Sequence, residues 1–410
     1  MRFDPLKKEP WTIAILGGGP AGSSTALYYF QSMKTSILSD ELSSHCEVHL
    51  YDYPRRFNFQ NNRSNNLTIS ENICVGESIP PAATPILRKL GCIDIIEKGN
   101  VHLNCPGSIS LWNDDKPGYN DFLLDAVGQG YHLEREIFDK QILTKACEAG
   151  VIRHKGWKLI SVKENKGKHQ LGFVVDKNKD KSKNDTSIVE ADFVIDATGK
   201  SSAFARRLNV FRNVLDEVMF LCAFIELPEG CDLISNTLVE SVAEGWWYAA
   251  RLPNNKMIVT FCTDQQGLKS HQWQNPEKWL KLFTQTKWLK NKLAKVFENI
   301  SHDCLNIVVQ SAPSSLLSAV CGDNWLAVGD AASSYDPITS AGITKAMQQG
   351  EQAGRALASF VMEGKNDLLQ VYQQQVFDDF KQYAKVRHEL YASEKRFSDS
   401  EFWMRRLGRI

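Results

Sequence analysis

Residues 11–30 read WTIAILGGGPAGSSTALYYF. An apolar run from Trp11 to Leu16 stops at three glycines, and a helix-forming stretch follows from about Pro20. Gly17, Gly19 and Gly22 have the GxGxxG spacing between a strand and a helix, and a second strand pattern, EVHLYDYP, closes on Asp52. Each glycine has a physical task. Gly17 permits the tight turn, Gly19 lets the backbone approach a pyrophosphate, and Gly22 lets the helix pack close to the sheet. The helix start at Pro20 and Ala21 offers backbone NH groups and the positive end of the dipole to a phosphate, and Asp52 can accept hydrogen bonds from a ribose. A glycine turn with no ligand is the bland alternative. The strand before it, the helix after it and the acid on the next strand favour a dinucleotide site.

The rest of the composition narrows the class. The chain has 410 residues, enough for one large or two ordinary domains with buried cores. Its 48 basic and 48 acidic residues cancel, which argues against a nucleic-acid binder or broad electrostatic capture at a membrane. The ten cysteines form no CxxC pair and no His-Cys cluster at metal spacing. They read as buried thiols in a reducing compartment, and no metal site is expected. The N-terminal MRFDPLKKEPW lacks the apolar core of a signal peptide, and no apolar stretch reaches membrane-spanning length, so a cytoplasmic protein is expected.

Further along, residues 56–72 are rich in Asn and Ser and read as a surface loop that could cover a site. VDKNKDKSKNDTSIVEAD reads as a charged hairpin tip between two strands. From Leu221 to Val309, strand-like pieces (LCAFIEL, WWYAARL, KMIVTFC) alternate with a Trp- and Lys-rich helical stretch at 273–300. The tail from Gly350 is mostly helical.

Three segments bear on one ligand: GGGPAG, VIDATGKSS (194–202) and LAVGDAASSYDPITSAGITKAM (326–347). In this order and at these distances they resemble the FAD-binding fold of the para-hydroxybenzoate hydroxylase type, over most of the chain from Ile13 to Arg355. The resemblance implies an α/β protein: an FAD-binding Rossmann-like domain of the glutathione reductase and para-hydroxybenzoate hydroxylase type, with an inserted β-sheet substrate domain and a C-terminal helical region. The expected boundaries are 1–105, 128–210 and 312–360 for the FAD domain, 106–127 and 211–311 for the substrate-side sheet, and 361–410 for the C-terminal helices. It implies FAD as cofactor. Gly199 would belong to the second cofactor segment, Asp330 would bond the ribityl chain, and the turn through Pro337 would lead to a helix opening at Gly342 and Ile343, whose NH groups would point at the flavin. Arg135, in HLEREIFDKQILTKACEAG, would approach the cofactor; a surface salt bridge is its bland reading.

Within this fold the likeness is to the flavin-dependent halogenase branch. VGESIPPAATPILRKLG (75–91) matches its GE[AS]xxP segment, EGWWYAARLP (244–253) echoes its WxWxIP strand, and FWMRR (402–406) resembles its C-terminal pattern. The departures are informative. The halogenase lysine is missing from the counterpart stretch HLNCPGS, Thr339 stands where tryptophan halogenases carry a glutamate, and Tyr248 and Ala250 replace the second Trp and the Ile of WxWxIP. The chain therefore looks like the non-halogenating offshoot, the flavoproteins that modify tryptophan in lysine and glycine oxidases to build tryptophylquinone cofactors. That resemblance implies hydroxylation of a peptidyl tryptophan in an oxidase precursor through a flavin C4a-hydroperoxide, with molecular oxygen and an electron donor as co-substrates. A hydroxylase of a small indole or phenol, a divergent halogenase and a non-catalytic maturation chaperone remain as alternatives.

Three side chains are candidate catalytic groups. His132 lies just before Arg135, and a neutral imidazole there could take a proton; a satisfied buried histidine is the alternative. Glu77 could orient the flavin or a substrate NH, or could merely complement a helix dipole. Trp246, with Trp247 and Trp112, could form an apolar wall that excludes water, or be plain core.

Overall fold

The computed structural model describes residues 10–35, 46–53, 76–122, 125–176, 185–231, 233–298 and 300–409. The opening stretch forms strand β1 (Trp11–Leu16) and helix α1 (Pro20–Lys34), followed by β2 (Cys46–Asp52). β1 lies inside a six-stranded sheet, parallel to β2 on one side and to Phe193–Asp196 on the other. A strand covered on both faces must be apolar throughout, and Ile13, Ala14 and Ile15 are fully buried. The 56–72 loop and the hairpin tip at 177–184 lie outside the described residues. The strands flanking that tip, Lys168–Val175 and Asp185–Ala191, pair antiparallel. Helix α2 (Arg135–Glu148) packs beside α1.

The second half builds an eight-stranded sheet around four long antiparallel strands: β3 (Arg212–Glu226), β4 (Gly245–Leu252), β5 (Lys256–Asp264) and, after helix α3 (Pro276–Phe283), β6 (Ile307–Leu317). Gly107–Leu111 joins this sheet by parallel pairing with Thr237–Val242, so two distant chain segments share one surface. Side chains alternate along each strand, and the register sorts them into two faces. Tyr248 is opposite Thr260, Trp246 opposite Cys262 and Phe220 opposite both Cys262 and Gln310. Trp247, Phe261 and Leu221 point to the other face, where they pack with Trp279, Phe283 and Leu289.

The stretch 273–300 covers that second face, in pieces. Asn275 caps α3 by accepting from the Lys278 NH at 3.1 Å. After Thr284 the chain restarts as a short turn of helix at Leu289–Lys292. The buried Glu240 carboxylate sets that restart by accepting from the NH groups of Lys287 (2.6 Å), Trp288 (3.1 Å) and Leu289 (2.7 Å). Trp279 is fully buried, with its indole NH on the Leu221 carbonyl at 3.1 Å. The tryptophans at 273 and 279 are thus sheet cover.

The first face is closed by the C-terminal helices. Helix α4 (Gly342–Glu363) packs along α1, and α5 (Asp367–Ser393) and α6 (Glu401–Arg406) bring Tyr391, Phe402 and Trp403 against Val218, Phe220 and Trp246.

Candidate active site

The glycine turn sits where its sequence requires. Gly17 has φ +116°, and a Cβ there would lie 2.3 Å from the Ala197 carbonyl oxygen; one on Gly22 would lie 2.1 Å from that of Gly17. Neither position tolerates a side chain without moving backbone. The turn opens onto a cavity with about 1420 Å³ of empty space, part of it open to solvent. Gly19, Pro20 and Ala21 line it, together with Gly199 and Lys200 from the second segment, Asp330, Tyr335, Asp336 and Pro337 from the third, and Gly342 and Ile343 of α4. Three motifs far apart in sequence therefore meet around one space.

Their chemistry fits a dinucleotide flavin. Neither α1 nor α4 has an acidic residue in its first turn or a side-chain cap, so two helix N-termini present positive dipole ends to the same cavity. At Gly19 an added Cβ would meet nothing within 4 Å, which leaves the approach to the backbone open. Asp196, fully buried, holds the second segment in shape by accepting from Thr198 (NH 3.1 Å, hydroxyl 2.6 Å), Phe204 (3.0 Å) and Ala205 (2.9 Å). Arg212 holds the third by donating to the carbonyls of Asp330 (3.0 Å) and Ala331 (2.6 Å). Asp52 ends β2 beside the glycine turn, paired with Arg153 at 2.6 Å, and is outside the cavity lining.

Across from this cradle stands the first face of the large sheet: Phe220, Trp246, Tyr248, Thr260, Gln310 and Ala312. Glu77 joins it at one corner, 4% exposed. The Tyr248 hydroxyl donates to one Glu77 oxygen, the Gly76 NH donates to the other at 3.0 Å, and Ser78 bonds Tyr248 at 2.8 Å. Burial and the adjacent Glu77 hold the Tyr248 phenol protonated far above its ordinary range. Arg135 opens α2 and lines the cavity, donating to the Gly76 carbonyl at 2.6 Å and to Asp139 at 3.0 Å, so it also fixes the turn that carries Glu77. The Trp246 indole NH donates to the Tyr391 hydroxyl at 3.1 Å, and that hydroxyl donates to the buried Asp336 at 2.8 Å.

Of the candidate catalytic side chains, Glu77 and Trp246 face the cavity and His132 does not line it. His132 is fully buried on the strand paired with Ser78, with Nε2 3.0 Å from the Thr237 hydroxyl. Burial pushes its pKa down to about 4, so it is neutral at pH 7. Trp247 faces the opposite side of the sheet, because strand alternation sends it away from Trp246. Trp112 stands edge-on to Trp246 at 6.5 Å, its NH on the Leu390 carbonyl at 3.1 Å. Sequence reading missed Lys200, Thr260, Gln310 and Asp336 as lining residues and saw Tyr248 only as a departure. Asp336 lay inside the quoted third motif, and strand alternation from Trp246 reaches Tyr248.

The fold is one shared by flavin-dependent halogenases and related oxidoreductases, and the relatives indicate a flavin-dependent enzyme with FAD as its cofactor. No protein-family model matches the chain. It is 26% identical over 399 residues, 97% of each chain, to the "Putative FAD-dependent oxidoreductase LodB" of Marinomonas mediterranea. It shares its fold with the flavin-dependent halogenase CmlS (TM-score 0.76, 22% identity, 98% of this chain and 68% of that one). It shares it also with QhpG, a peptidyl tryptophan dihydroxylase essential for tryptophylquinone cofactor biogenesis (TM-score 0.72, 21% identity, 97% of this chain and 78% of that one).

Proposed function

We propose that the chain is an FAD-dependent monooxygenase that hydroxylates a tryptophan side chain of an oxidase precursor during assembly of a tryptophylquinone cofactor. The observation that carries this reading is one cavity with two unlike walls: a cradle for FAD on one side, and an aromatic sheet face with a buried, hydrogen-bonded carboxylate on the other. The whole-length likeness to LodB supports an FAD-dependent oxidoreductase, and the fold shared with QhpG supports a peptidyl tryptophan as the ring it receives.

Bound FAD, reduced by an electron donor, supplies the electrons that activate molecular oxygen for transfer to an electron-rich ring. The chain's own residues bind and orient. Pro20, Ala21, Gly342 and Ile343 hold the cofactor at the two helix starts, with Gly199, Asp330 and Pro337 along the cradle and Arg135 at the cavity rim. Phe220 and Trp246 present apolar surface to the indole and exclude water from the reacting side. The Glu77 carboxylate, fixed by the Tyr248 hydroxyl and the Gly76 NH, accepts the indole NH and so sets which ring edge meets the cofactor.

Co-expression of this chain with a tryptophylquinone-type oxidase precursor from the same organism tests the reading by peptide mass. One tryptophan peptide is expected to gain oxygen only when the chain is present, with equal yield whether or not chloride or bromide is supplied. An unchanged precursor mass, or a halogen on the product, contradicts it.

A further inference from the structure

The sheet wall of the cavity carries three polar side chains, Tyr248, Thr260 and Gln310. The Tyr248 hydroxyl is engaged with Glu77 and Ser78, and the Thr260 hydroxyl has the Cys222 thiol beside it. Gln310 differs. Its Nε2 is buried yet finds no hydrogen-bond partner among the described residues. Buried amide groups are nearly always paired, so this one points to a group that enters the cavity. Whichever way the amide is turned, it offers one NH2 donor and one carbonyl acceptor, the complement of a peptide group.

Its place on the wall agrees with that chemistry. Gln310 on β6 is opposite Phe220 on β3, Phe220 is opposite Cys262 on β5, and Cys262 is opposite Trp246 on β4. The amide and the corner where Tyr248 holds Glu77 therefore stand at opposite ends of an aromatic floor, on strands three spacings, roughly 14 Å, apart. An indole that bonds Glu77 is shorter than this span, so what reaches Gln310 is the chain that carries the ring.

We propose that Gln310 is a specificity-determining residue: its amide bonds the peptide group beside the tryptophan whose indole Glu77 receives, so that the cavity takes a peptide-borne ring in preference to a free indole. This rests on the tryptophan reading of the aromatic wall and deepens it by naming the second contact. An amide that served the cofactor instead would affect FAD binding, and one that merely filled the wall would affect every ring equally.

The test uses the full chain loaded with FAD and two probes, each titrated calorimetrically: N-acetyl-tryptophanamide, whose ring hangs between two peptide groups, and 3-methylindole, which is the ring alone. Wild type is expected to bind N-acetyl-tryptophanamide about tenfold more tightly, the worth of about one well-made hydrogen bond. Gln310→Leu, close in size and without the amide, is expected to lose that preference, while its affinity for 3-methylindole and its FAD dissociation constant stay at the wild-type values. Gln310→Glu, which keeps the length and replaces the donor by a charged acceptor, is expected to lose the preference as well. A preference that survives in Gln310→Leu, an equal loss for both probes, or weakened FAD binding overturns the proposal. Wild type that binds the two probes equally overturns it too, whereas wild type that binds neither overturns the tryptophan reading on which it rests.

Discussion

In the proposed function, Glu77 is the side chain that orients the ring in the cavity. Its two oxygens are held by the Tyr248 hydroxyl and the Gly76 NH at the corner where the sheet wall meets the cradle. Glu77→Gln keeps the shape but weakens the acceptor, and product formation is expected to fall on the order of 10²-fold with FAD content unchanged, as read by flavin absorbance and peptide mass. His132 belongs to stability. The unfolded chain protonates it near 6.5, whereas the folded protein holds off until about 4. Protons therefore bind preferentially to the unfolded state between these values, so this contribution is fully present above pH 6.5 and is lost as pH falls toward 4. Denaturant unfolding of His132→Asn should lose about 3 kcal/mol less than wild type over that window. Parallel pH curves for the two proteins would remove His132 from this role.

Among the elements, the Trp-rich cover and the sheet divide labour by strand alternation. Trp279→Ala empties a fully buried site under α3 and is expected to cost about 3–5 kcal/mol in urea unfolding, while the half-buried Trp288→Ala costs clearly less. Neither should change FAD content. The glycine turn, the Asp196 turn and the stretch from Asp330 to Ile343 are each contiguous, so backbone requirements write them directly into residue order. The cavity wall is different. It is assembled from Phe220, Trp246, Tyr248, Thr260 and Gln310 on four strands, and only their register brings them together. The break within the helical stretch at 273–300 is hidden for the same reason: the carboxylate that sets it, Glu240, comes from 47 residues earlier in the chain.

Across the whole molecule, a chain of buried and half-buried ion pairs ties the C-terminal helices to the cavity. Asp336 on the cavity wall meets Arg387 at 3.2 Å, and Arg387 also meets Asp216. Arg406 bridges Asp216 and Asp264 at 3.2 Å each, and Arg405 joins Asp264 at 2.9 Å. The FWMRR segment that resembled a family pattern is therefore a brace, with Phe402 and Trp403 packed against the sheet and its arginines paired with it. Arg387→Met leaves the Asp336 and Asp216 charges without their shared partner and is expected to cost about 3–5 kcal/mol, visible as a lowered melting temperature and weakened FAD retention. The proposed function turns on what enters the aromatic side of the cavity. The direct measurement is peptide mass of an oxidase precursor incubated with the purified, FAD-loaded chain, an electron donor and ¹⁸O₂. ¹⁸O is expected on a single tryptophan, present with wild type and strongly reduced with Glu77→Gln. A precursor that carries no ¹⁸O while the chain consumes oxygen would contradict it.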